Sequence, residues 1–258
     1  MAATGTNEIY FQKATLRDTA VTVRPKPNPT PTPLLRLEVR DLSADGARSF
    51  LSLLNCDSVL QEAVDSVLSL LYTSKSKIPP TRSVTLVLRS MEGVAYTTGK
   101  EIDGDHKEIH FSTDYIAGCS EERRAEEMLG VLRHEMVHCW QWAANGTCPS
   151  GLIEGIADWV RLKSNMVPPH WKQEGGGDWD AGYQHTAYFL EYLETRFGQG
   201  TVVAINERLC DRDYVEKGFW IHCCGCEVQE LWDDYGRSLT DAQKGSDTNV
   251  TSPMESTV

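Results

Sequence analysis

Positive charge is scarce in this chain: 25 lysines and arginines face 37 aspartates and glutamates, leaving a net charge of −12 over 258 residues. That balance argues against nucleic acid or an anionic membrane surface as a main partner, since both call for a basic face. A neutral or cationic polypeptide fits better. Long apolar runs are missing too, and no window approaches the roughly 18 consecutive apolar residues that span a bilayer. No repeat is visible, which excludes a solenoid array. Residues 1–20 lack a basic stretch leading into an apolar one, so the expectation is a cytoplasmic protein. Reduced thiols are then the default for the eight cysteines, although Cys139 and Cys148 bracket a turn and could close a short loop if the protein were exported.

With 40% hydrophobic residues the chain can bury one substantial core. Residues 24–33 hold five prolines, which remove backbone donors and favour an extended linker. The expected organisation is a flexible extension over 1–33, one domain over 34–238, and a polar, disordered tail over 239–258. Alternating patterns predict strands at 34–39, 83–89 and 94–98, the last pairing with 83–89 around Glu92-Gly93. Residues 107–112 read as an edge strand able to bind an extended peptide. His106 and His110 read as surface histidines. Residues 47–54 and 58–72 read as helices.

The segment from Ser120 to the stop signal Asn145-Gly146 predicts one long helix, with His134 and His138 in its middle. Histidines four apart on a helix share a face, so both imidazoles of His134-Glu135-Met136-Val137-His138 can reach one tetrahedral zinc ion. Glu135 between them is placed to act as general base toward a zinc-activated water. The plain alternative is a solvated histidine pair, but apolar neighbours make such a pair costly to bury without partners. Catalytic zinc takes three protein ligands. A second helix, capped at Ser150 and continuing Gly151-Leu152-Ile153-Glu154-Gly155-Ile156-Ala157-Asp158, offers two acids four apart on one face. Unless a cation is near, like charges at that spacing weaken a helix slightly.

HEMVH, then GLIEGIADWVR, then WDAGYQHTAYFLEYLE together resemble the basic secretory protein family, the peptidases of plants and bacteria. The resemblance runs from about residue 34 to 236. Glu-x-x-x-Asp also resembles the gluzincin metallopeptidase pattern. Those resemblances imply Glu154 as third zinc ligand, with Asp158 orienting a ligand histidine, His134. Family members are typically basic and secreted whereas this chain is acidic, so export by an unconventional route stands as the alternative to the cytoplasm.

Residues 179–198 follow a glycine-rich loop and predict a helix with Tyr183 and His185 near its start. Zinc peptidases commonly use such a side chain to steady an oxyanion. Tyr183 is the preferred candidate and His185 the second, with packing or ordinary exposure open for each. Residues 201–209 and 228–235 predict further helices. In His222-Cys223-Cys224-Gly225-Cys226 only Cys223 and Cys226 have zinc-ligand spacing, so buried or redox-sensitive thiols compete with a second metal there. Trp140, Trp142 and Trp159 flank the two site helices and read as core.

The reading that results is an α+β, zincin-like domain, a mixed sheet followed by a helical subdomain with the metal site between two helices. Its expected function is zinc-dependent hydrolysis of peptide bonds in a peptide or protein substrate, without nucleic acid or membrane; the oligomeric state stays open. The alternative is a zinc-stabilised binding or defence protein with little or no turnover.

Overall fold

Four strands and nine helices follow one another in the residues described by the computed structural model, 31–248. Strand β1 (Leu34–Val39) leads into helices α1 (Asp45–Leu53) and α2 (Val59–Leu71), and then come β2 (Ser83–Arg89), β3 (Ala95–Lys100) and β4 (Asp103–Ser112). The helical part holds α3 (Thr113–Gly118), α4 (Arg124–His138), α5 (Ser150–Lys163), α6 (Tyr183–Phe197), α7 (Thr201–Arg208), α8 (Glu216–Cys224) and α9 (Val228–Thr248). The fold is α+β with a small mixed sheet. Among the described residues, no helix is long and apolar enough to cross a membrane.

The sheet has the order β1-β2-β4-β3, with β1, β2 and β4 parallel and β3 antiparallel to β4. Parallel neighbours need a crossover connection, and α1 with α2 supplies the one between β1 and β2. The sheet corrects two expectations. Residues 94–98 do not form a hairpin with β2, and 107–112 is not an edge strand, because β4 lies between β2 and β3. Burial explains the placement. Ile109, Phe111 and Ser112 of β4 are buried as a central strand requires, whereas β3 alternates and then turns polar, as suits an edge. His110 is therefore buried, stacked on Tyr96 with ring centroids 4.6 Å apart, and not a surface residue. His106 bonds Ser83 Oγ at 2.7 Å.

Helix boundaries moved as well, α6 starting at Tyr183 and not at 179. Helix α4 starts at Arg124 and ends at His138, so the second histidine closes the helix and does not sit in its middle. The chain has already left the helix when it reaches Ala144, Asn145 and Gly146, all at positive φ. Helix α9 runs on through Thr248, past the expected start of a disordered tail. Val228, Leu231, Trp232 and Tyr235 bury its first half, and Leu239 packs against the same core. The proline-rich stretch expected as a linker lies, apart from its last residues, outside the described part, as do residues 249–258.

One core joins the sheet to the helices, with Leu86, Leu88, Phe111, Val137, Trp140, Trp159 and Phe189 all buried in it. Trp142 is only partly covered. Helix α5 packs closely at two glycines, on α6 and on the turn before it. A Cβ built on Gly151 would overlap the carbonyl oxygen of Asp180, and one on Gly155 would overlap the Thr186 side chain. Gly151→Ala is thus expected to lower stability by about 1–3 kcal/mol, as overpacking does. Denaturant unfolding checks this, and an unchanged midpoint would show that the contact yields freely.

Candidate metal centre

Helices α4 and α5 pack side by side and bring their polar residues to one cleft of about 970 Å³. His134 comes from inside α4, His138 from its last turn and Glu154 from the second turn of α5. Their donor atoms gather within 4.8 Å of one another, the sole grouping of this kind among the described residues. His134 Nε2 lies 3.0 Å from Glu154 Oε2 and 3.2 Å from His138 Nε2, and His138 Nε2 lies 3.7 Å from Glu154 Oε2. Ligands about 2.0–2.1 Å from a tetrahedral ion stand roughly 3.3–3.4 Å from one another, so the three separations bracket the value such an ion needs. This group can hold a metal ion.

Charge supports the same fit. Glu127, Glu135, Glu154 and Asp158 line the cleft, and Arg161 is the one lysine or arginine among the lining residues. Arg161 is already bonded to Glu127 at 2.9 Å, which leaves three carboxylates around the cluster without a fixed cation. Buried like charges are costly unless a counter-ion is present. Burial disfavours the charged form of His134, but bonds to Asp158 and Glu154 outweigh it and raise the imidazole to about 10. Burial opposes charge on Glu154 as well, yet His134 and His138 hold its carboxyl far below the usual range. Surroundings that favour positive charge on the histidines also suit a cation.

Asp158 is buried and its Oδ1 lies 2.6 Å from His134 Nδ1, on the far side of the ring from Glu154. Glu135 points into the cleft beside the three donors, where its Oε2 accepts a hydrogen bond from Thr97 Oγ1 at 2.8 Å. The same hydroxyl proton is shared with the Glu135 carbonyl, 3.0 Å from Thr97 Oγ1, which ties the edge strand to α4. Nothing local in the sequence marks Thr97, because the β3–α4 contact is tertiary. Thr97→Val is expected to lower stability by about 1–3 kcal/mol, since the buried Glu135 carboxylate then loses this partner. Denaturant unfolding checks it, and an unchanged midpoint would show that the bond contributes nothing.

Tyr183 and His185 both line the cleft. The Tyr183 ring lies nearly parallel to His134, with centroids 6.3 Å apart, and the residue is 58% exposed. Its φ of 47° falls in the left-handed region, which non-glycine residues seldom occupy outside turns and functional sites. The charge of Glu154, followed by burial, pushes its hydroxyl above the usual value. His185 sits 3.7 Å from Glu174 instead, with Nδ1 buried and unpartnered.

The cysteine-rich segment gathers no metal group among the described residues. Burial pushes the Cys223 thiol up to about 11 and Cys224 to about 12. Cys139 and Cys148 are both thiols, Cys139 fully buried.

A family model described as BSP, peptidase of plants and bacteria, matches residues 32–235. No curated protein and no solved structure matches the chain.

Proposed function

We propose, from the premise that this chain belongs to the BSP family, the peptidases of plants and bacteria, that it is a zinc-dependent metallopeptidase of zincin-like architecture. The observation that carries this reading is the spacing of the His134, His138 and Glu154 donors in a cleft that Glu135, not one of the three, also lines. A zinc ion held by those three residues supplies Lewis acidity, which makes water acidic and polarises a carbonyl. The family implies peptide or protein substrates.

The chain's own residues do the rest. Glu135, oriented by Thr97, takes a proton at Oε1 or Oε2 from the attacking water and passes it to the departing amine nitrogen. Asp158 fixes the ring of His134. Tyr183, whose hydroxyl is kept protonated, is the preferred donor to the developing oxyanion, and His185 is the second candidate. Ala95, Tyr96 and Thr97 of the edge strand line the cleft, so β3 takes the peptide-docking role expected of 107–112. Three carboxylates about one divalent ion leave the pocket on balance negative, which favours neutral or basic peptides.

A zinc-stabilised binding protein without turnover has no need for Glu135, and its fourth zinc position would be closed by a protein ligand. Hydrolysis of an unbiased peptide library by protein of measured zinc content separates the two. Internal cleavage that a chelator abolishes supports the peptidase, and bound zinc without any cleavage supports the binding protein.

A further inference from the structure

We infer that Gln141 is the positioning residue of His138, its side-chain carbonyl accepting the Nδ1 proton so that the Nε2 lone pair faces the metal position. The inference rests on the metal-centre reading above. Gln141 stands three residues beyond His138, just past the end of α4, with its amide 2.6 Å from His138 Nδ1. When the amide nitrogen faces the ring, Gln141 Oε1 is buried without a partner. The two amide orientations have one shape, and each pairs with one tautomer of the ring. A ring whose Nε2 lone pair faces the metal position carries its proton on Nδ1, and that proton needs an acceptor, so the amide is turned with Oε1 toward Nδ1, which also gives the buried oxygen its partner.

That orientation also sets the tautomer. An imidazole protonated at Nδ1 carries its lone pair at Nε2, the atom that faces His134 and Glu154. Asp158 holds His134 in the same way, from the side away from the cluster. The two histidines are therefore backed differently, one by a carboxylate and one by a neutral amide. With Glu135, Glu154 and Asp158 already in the cleft, an amide orients the ring without adding another negative charge.

The test compares wild type, Gln141→Leu and Gln141→Glu by zinc dissociation constant, measured in competition with a chelator, and by metal-free melting temperature. Leucine keeps the bulk and removes the acceptor, while glutamate restores an acceptor. Gln141→Leu is expected to bind zinc about 10–100-fold more weakly, the usual effect of losing a partner behind a ligand histidine. Gln141→Glu should bind at least as tightly as wild type. Wild-type affinity in Gln141→Leu, or weakened binding in Gln141→Glu, overturns the role of Gln141. If Gln141→Leu does not fold, the comparison of Gln141→Glu with wild type decides alone. A wild-type protein that takes up no zinc overturns the metal-centre reading itself, and with it this inference.

Discussion

Glu135→Gln is expected to keep stoichiometric zinc and lose about 10²–10⁴-fold in kcat/KM for peptide hydrolysis, the range that a positioned general base contributes. The substitution changes one oxygen for a nitrogen, so the cleft and the bond from Thr97 can persist while the proton acceptor disappears. Glu135 lies beside the three clustered donors and is not one of them, which is why metal uptake and turnover should separate. Kinetics together with metal analysis on the same preparation check this. Undiminished turnover would remove Glu135 from its role.

Glu154→Ala is expected to abolish zinc-dependent stabilisation. A ligand present at about a hundredfold its dissociation constant stabilises the folded state by roughly 2.7 kcal/mol, which for a domain of this size raises the melting temperature by roughly 5–11 °C. With only His134 and His138 left, that rise should fall to near zero. Glu154 is the better ligand to truncate. Removing His134 would strand the buried Asp158 carboxylate, and the loss of a paired charge would then mix with the loss of metal. Calorimetric scans with and without zinc check the prediction, and a full zinc-dependent shift in Glu154→Ala would contradict it.

The site was more legible in the sequence than the sheet that supports it. His134 with His138, and Glu154 with Asp158, are local pairs set by helical spacing, so their shared faces follow from residue numbers alone. That the two helices meet needed the family resemblance; their close approach at Gly130, where a Cβ would meet the Arg161 side chain, is a packing fact that no local pattern encodes. Strands β1 and β2 matched their expected bounds end to end, although β2 is buried on both faces and does not alternate. Their neighbours did not, because alternation reports which residues face inward and not which strand lies alongside. The central place of β4, the burial of His110 and the edge position of β3 are all consequences of that missing information. Gln141 had a readable signal in its three-residue spacing from His138, whereas Thr97 had none. The end of α4 was masked by residues 139–143, whose apolar content continues the helical pattern after the helix has stopped.

The most direct measurement is a titration of metal-free protein with zinc, following peptide-library hydrolysis against zinc occupancy. Zinc-dependent catalysis at this centre predicts no hydrolysis without metal and a linear rise that saturates at one zinc per chain, with Glu154→Ala flat throughout. Full hydrolysis in the metal-free protein, or one tightly bound zinc with no hydrolysis of any peptide, would contradict it.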